Sequence, residues 1–281
     1  MRTHCFRLFA LLFLLAAPAF AGTELTLYTD MEPDLLNRYA RDMAEKFPDL
    51  DIKWVRESGG PITARLLAEK DNPQADMIFG LALTGVLAVD RQGGLEPCSP
   101  EGVDAVNPMM RDARDNPVWV GMNVVVGALA VNARELEALG LASPRSWADL
   151  TRPEYKGRIV MPNPVSSGTA YLHMTGWLQN MGEEKGWAFM EALHKNVSMY
   201  VHSGSKPAQM AAMGETPVGC TVDAYIAPYR KKNAPVESIL PEEGVGWDIV
   251  ASAIVKGCRH PVEARRLMEY AVSMDAARIG L

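Results

Sequence analysis

Three times between Glu24 and Gln92 a short strand-like run is followed by a stretch of helical periodicity, and this rhythm constrains the fold more than any other feature. Glu24-Leu25-Thr26-Leu27-Tyr28-Thr29 alternates as a strand does, and Asp34 to Phe47 follows as a helix. Asp51 to Val55 and Ala75 to Gly80 are further strands. A helix begins at Pro61, placed as an N1 proline, and runs to about Lys70; another covers Thr84 to Gln92 and stops at Gly93-Gly94. Strands joined by helical crossovers pair in parallel, so the expected sheet is parallel with helices packed against it. Ligands of such sheets sit beyond the carboxyl ends of the strands. Here those ends bring Thr29, Asp30 and Glu32, then Ser58, Gly59 and Gly60, then Gly80.

Two β-rich runs interrupt the rhythm. Val118 to Val131 is too long for one ordinary strand, and Gly121 and Gly127 are its bend points. It is either a strand pair or a strand crossing between domains. Trp247 to Val255 is the second such run and would return the chain to the first domain. Between them come helices over Arg134 to Leu139, Ala170 to Met181 and Gly182 to Leu193, and a strand over Val218 to Val222. Pro261 to Val272 is the last helix expected.

Gly157 to Met161 reads as a short strand stopped by Pro162 and Pro164, and Ser166-Ser167-Gly168-Thr169 then opens a helix. First-turn N–H groups have no intrahelical partner and lie at the positive end of the dipole, so an oxyanion binds there. The hydroxyls add donors, and Gly168 permits close approach of the backbone. Ser and Thr are also ordinary helix caps, so the stretch alone leaves both readings open. Met199 to Lys206 repeats the arrangement, with Ser203-Gly204-Ser205 between a strand and the helix from Ala208 to Met213.

Residues 1–21 read as a secretory signal: Arg2 and Arg7, an apolar run from Leu8 to Ala17, then Ala19-Phe20-Ala21. The expected location is therefore periplasmic, with no membrane insertion. A net charge of −6 argues against nucleic acid or an anionic membrane as partner, so any anion site has to be built locally. Arg230-Lys231-Lys232 reads as a solvated face. Cys98, Cys220 and Cys258 survive processing, and Cys220 with Cys258 is the pairing expected in an oxidising compartment.

Several markers recur in order: Tyr28-Thr29, Ala75-Asp76-Met77-Ile78-Phe79-Gly80, Ala128-Leu129-Ala130-Val131-Asn132, Trp147-Ala148-Asp149-Leu150 with Tyr155-Lys156-Gly157-Arg158-Ile159, and Ser166-Ser167-Gly168-Thr169. In this order and spacing, over nearly all of the mature chain, the sequence resembles periplasmic solute-binding proteins of ABC importers, of the two-lobed kind that includes ferric-ion binders. The resemblance implies an α/β fold of two lobes, each a mixed sheet flanked by helices, joined by two hinge strands. Lobe 1 would be residues 22–122 plus 246–281 and lobe 2 residues 123–245. It implies a monomer that hands its ligand to an inner-membrane permease. Ferric binders use adjacent tyrosines with a His and a carboxylate, whereas here Tyr225 is followed by Ile226, and Tyr229 lies a helical turn on. No metal or cofactor is therefore expected.

The branch that binds 2-aminoethylphosphonate is similar at Ser58-Gly59-Gly60-Pro61. That similarity implies a phosphonate held by Ser58 to Gly60, Ser166 to Thr169 and Ser203 to Ser205. Its ammonium would face Asp30, Glu32, Asp223 or Tyr225, with Asp223 and Glu32 the first choices. Sugar-phosphate binders share the scaffold and its anion donors, and a receptor presenting ligand to a sensor protein would look the same. Catalysis is not expected, because no nucleophile elbow, His-Glu-x-x-His or phosphate-loop lysine motif occurs. Relatives continue with further helices past the point where this pattern stops at Leu281, so the expectation is either that part of the first lobe's cover is missing or that the sequence is a fragment.

Overall fold

A computed structural model describes residues 22–280, so the signal expected over residues 1–21 lies outside the described residues. The first unit alternates as the sequence predicts: β1 (Thr23–Thr29), α1 (Pro33–Lys46), β2 (Leu50–Arg56), α2 (Gly59–Ala68), β3 (Met77–Ala82), α3 (Leu83–Arg91) and a two-residue β4 (Leu95–Glu96). Both β2 and β3 lie parallel to β1. Leu25 and Leu27 of β1 pack under Leu36, Tyr39 and Met43, which recur on one stripe of α1. Tyr28 points to the other face, against Ile62 and Leu66 of α2. Each such fully buried side chain contributes roughly 1.5–3 kcal/mol of transfer free energy.

The long run is a single strand, β5 (Val120–Asn132), that crosses between two sheets, which settles the alternative left open by its length. Its first half pairs antiparallel with β10 (Trp247–Val255). In between come α4 (Ala133–Ala138), β6 (Ile159–Pro162), α5 (Gly168–Met181), α6 (Glu183–His194), β7 (Val197–Val201), α7 (Lys206–Ala212), β8 (Val218–Val222), α8 (Asp223–Lys231) and β9 (Val236–Ile239). The second half of β5 pairs with β8 and β9. The resulting order is β2-β1-β3-β10-β5-β8-β6-β7, with β4 on β10 and β9 on β5. The fold is thus α/β with a mixed sheet flanked by helices.

The handover on β5 falls at Gly127, whose N–H donates to the Gly246 carbonyl at 2.8 Å. Helix α5 lies directly on this crossing. A Cβ at Gly127 would stand 3.0 Å from the His173 ring, and one at Gly176 would stand 2.7 Å from the Gly246 Cα. Side chains at these positions would lift α5 off the two strands.

Core residues divide at the same place. Two buried clusters draw on residues 25–122 and 249–279, and two others on residues 128–245.

Several expectations change. Helix α2 starts at Gly59 with Ser58 at its N-cap, so Pro61 sits inside the first turn rather than at N1. The chain after Val272 forms α10 (Met274–Gly280), preceded by α9 (Pro261–Ala271). Helix α10 closes on α1, where Tyr39 Oη donates to the Ala276 carbonyl at 3.0 Å. The expected Cys220–Cys258 pair is corrected: Cys98, Cys220 and Cys258 are free thiols. Cys220 is sealed in β8 among Leu129 and Ile159, while Cys258 packs on the other unit's core. A bridge would have to span two separate cores.

His173 of α5 is 1% exposed and stacks on Trp177 with ring centroids 5.5 Å apart. Burial, offset in part by the Thr221 backbone, lowers its pKa from 6.5 to about 4. The fold therefore holds a neutral imidazole that the unfolded chain would protonate. Its contribution is complete above pH 6.5 and is lost as the pH falls to 4, a difference of about 3 kcal/mol. Urea unfolding at several pH values should show that His173→Phe flattens this part of the stability profile. An unchanged slope would exclude His173 as its origin.

Candidate functional site

The carboxyl ends of β1, β2 and β3 meet the amino ends of α2 and α5 in one cleft. Its walls carry Asp30, Glu32, Arg56, Ser58 and Gly59 from the first unit and Ser167, Gly168, Thr169, Ser203, Gly204 and Tyr225 from the second. An adjoining compartment is bounded by Asp30, Asp248, Thr169 and Tyr225 together with Val125, Leu172 and Val250. The two spaces are continuous, sharing Asp30, Gly168, Thr169 and Tyr225 as lining residues.

Thr29 and Gly80 shape this cleft without lining it. The Thr29 hydroxyl is fully buried, donates to the Gly80 carbonyl at 3.1 Å and accepts from Met31 N–H at 3.1 Å. That bond joins the ends of β1 and β3 and turns the chain so that Asp30 and Glu32 face the opening. Gly80 adopts a φ of +71° against the Met31 side chain, a conformation that L side chains rarely take. Arg56 ends β2; it donates to the Met31 carbonyl at 2.8 Å and to Glu32 at 2.9 Å.

Helices α2 and α5 point their amino ends at each other. Ser58 and Ser167 occupy the N-cap positions in extended backbone, yet neither side chain makes a capping bond. The ordinary-cap reading of Ser167 therefore does not describe it: the residue is 4% exposed and forms part of the cleft wall. The helix ends come so close that Gly60 N–H reaches the Ser166 carbonyl at 3.4 Å. Across the same gap, a Cβ on Gly60 would stand 2.6 Å from the Val165 carbonyl oxygen. Gly204 plays a matching part beside α5, since a Cβ there would stand 2.2 Å from the Thr169 hydroxyl.

The remaining expected residues divide. Ser203 lines the cleft and shares a 2.9 Å hydrogen bond with Ser205, which stands behind it. Ser166 is turned out, its hydroxyl donating to the His202 carbonyl at 3.1 Å. Asp223 is exposed and accepts from the Ser238 hydroxyl, outside both compartments. Tyr225, two residues on, does face the cleft alongside Thr169; burial raises its pKa.

Two residues were missed. Arg56 is the last residue of β2, two positions before the Ser58-to-Gly60 strand end, so its position is readable from the strand-end rule, while nothing local distinguishes its charge from a solvated one. Asp248 had no local signal: only the pairing of β10 with β3 and β5 brings it to the cleft. It accepts from the Thr84 hydroxyl at 3.0 Å. Enclosure raises the Asp30 carboxyl from 3.8 to about 7, and Glu32 and Asp248 reinforce that shift while the Ala82 N–H and Arg56 oppose it. Among the described residues, no group of three His, Cys, Asp or Glu side chains is arranged to hold a metal ion.

The chain is similar to several known proteins. An uncharacterized protein of Haemophilus influenzae is 30% identical over 262 residues, which span 92% of this chain and 75% of that one. The periplasmic binding protein AfuA from Actinobacillus pleuropneumoniae, solved with exogenous fructose-6-phosphate bound, superposes with a TM-score of 0.87 at 31% identity, covering 92% of this chain and 83% of that one. A probable ABC transporter periplasmic-binding protein of Sinorhizobium fredii is 27% identical over 152 residues, or 51% of this chain and 40% of its own length. The model of the bacterial extracellular solute-binding proteins matches residues 74–280, a span that takes in strands of both sheets. This chain belongs to that family.

Proposed function

We propose that this chain is the solute-capturing component of an ABC importer and that its ligand is a small organic phosphate or phosphonate. The observation that carries the reading is the face-to-face approach of the uncapped amino ends of α2 and α5. A tetrahedral oxyanion between them would accept bonds from first-turn N–H groups of both helices, from Ser58, Ser167, Thr169 and Ser203, and from Arg56. The lobes would be residues 22–122 plus 246–281 and residues 123–245, with β5 and β10 as hinge strands; the division of the buried cores supports this. Ligand contacts made by both lobes favour the closed form by their differential affinity. The partner would be an inner-membrane permease, the site of action the periplasm and the working state a monomer.

A sugar phosphate is the first candidate, supported by the fructose-6-phosphate in the AfuA relative. 2-Aminoethylphosphonate is the second, favoured by the Asp30 and Asp248 carboxylates, which suit an ammonium group. The test is titration calorimetry on protein stripped of ligand by unfolding and refolding, with fructose-6-phosphate, 2-aminoethylphosphonate, inorganic phosphate and ferric citrate. Binding of either organic compound supports the reading, and a response to iron alone overturns it.

Ser167→Ala with Thr169→Ala should weaken the bound compound about thirtyfold, since each lost hydroxyl bond contributes about 1 kcal/mol. Unaltered affinity in that double variant would remove the α5 hydroxyls from the site.

A further inference from the structure

The two compartments of the cleft differ in chemistry, and the difference bears on which ligands the site admits. This inference rests on the anion reading above. Arg56 is the one positively charged side chain lining either compartment among the described residues. Its guanidinium is engaged by Glu32 at 2.9 Å and the Met31 carbonyl at 2.8 Å. It therefore serves the compartment that the helix amino ends also serve.

The adjoining compartment has no cation. Asp30 and Asp248 face it from two different strand ends, and the rest of its wall includes Val125, Leu172, Val250 and the Tyr225 ring. The donors that Asp248 already receives are neutral: the Thr84 hydroxyl at 3.0 Å, the Thr84 N–H at 3.4 Å and the Ile249 N–H at 2.8 Å. Both carboxylates retain accepting capacity toward the cavity. A hydroxyl or an ammonium placed there finds acceptors. A phosphoryl or carboxylate group finds the Asp248 carboxylate and the partly protonated Asp30 carboxyl, apolar walls and no free donor of positive charge; Asp30 borders the first compartment too, but there Arg56 and the helix amino ends offset it.

We infer that the cleft selects ligands with a single anionic end: the Asp30–Asp248 compartment admits a hydroxylated or ammonium-bearing tail and excludes a second phosphoryl or carboxylate group. Asp30 and Asp248 are specificity-determining residues on this account. They act less by tightening the correct ligand than by repelling a wrong one.

Two matched pairs test this by calorimetry: fructose-6-phosphate against fructose-1,6-bisphosphate, and 2-aminoethylphosphonate against phosphonoacetate. In the wild type, the first member of whichever pair binds should bind at least about a hundredfold more tightly than the second, as two like charges at close range in a screened cleft require. Asp30→Asn and Asp248→Asn remove the charge while keeping shape, and the double variant should reduce that ratio to about tenfold or less. Unliganded melting curves show whether each variant is folded, and the two single variants serve if the double one is not. Equal binding of both members by the wild type overturns the selectivity and leaves the anion site standing. A preference that survives neutralisation of both carboxylates does the same. If none of the four compounds binds, the anion reading falls and this inference falls with it.

Discussion

Gly60→Val should leave the unliganded protein as stable as the wild type and abolish ligand-driven closure. The cleft as described has no room at this position, because a Cβ would stand 2.6 Å from the Val165 carbonyl oxygen and 3.1 Å from the Ser166 Cα. Those atoms are backbone, so no rotamer change relieves the clash. Parting of the two proposed lobes would relieve it. The crowding should cost the closed form about 3 kcal/mol, the upper end of ordinary overpacking, and valine's two methyl groups leave little scope for less. Ligand affinity should then fall roughly a hundredfold. Small-angle scattering should show no compaction on adding a ligand that compacts the wild type. Wild-type affinity together with normal compaction would mean that the α2 and α5 amino ends do not close on the ligand.

Arg56→Ala should have the second-largest effect, with affinity for a phosphorylated ligand reduced about a hundredfold. Two losses combine. The ligand forfeits a charge-assisted bond, and Glu32 loses the partner that now neutralises it at 2.9 Å. The Glu32 carboxylate would then stand beside Asp30 and repel the anion directly. Truncating one member of such a pair costs about 2–5 kcal/mol of binding in other sites, and the partial exposure of both side chains places this one toward the lower end. Thermal stability should change little for the same reason, since exposed ion pairs contribute at most about 1 kcal/mol. Raising the salt concentration should weaken wild-type binding more than binding by the variant, which calorimetry at two ionic strengths reads directly. Equal salt dependence would remove Arg56 from the anion contacts.

The reading of Asp223 shows how a correct local pattern can mislead about a site. Val218 to Val222 forms the expected strand, and Asp223 does follow its end. Helix α8 begins at that very residue, however, and directs its first side chain toward Ser238 of β9, a strand absent from the sequence expectations. Tyr225, two positions along the helix, is rotated toward the cleft instead. Strand-end logic located the neighbourhood, and helical rotation chose the residue.

Cys220 and Cys258 illustrate the same limit. Each sits beside a glycine near a strand end, but β8 places Cys220 and the turn after β10 places Cys258 against different cores.

Local physics is written in the sequence itself. The period-two and period-3.6 patterns gave the strand–helix alternation, and the two β-rich runs marked the strands that lie side by side between the sheets. Ser167, Gly168 and Thr169 announced a helix amino end rich in donors, because these residue types act on backbone within a turn of themselves. Only the tertiary structure decided that this end faces α2, that Arg56 and Asp248 share the cleft, and that Ser166 turns out of it. Those outcomes depend on which strands become neighbours and in what register. Pairing between residues more than a hundred positions apart, such as Asp248 with Val125, is fixed by burial of the whole sheet rather than by any local preference.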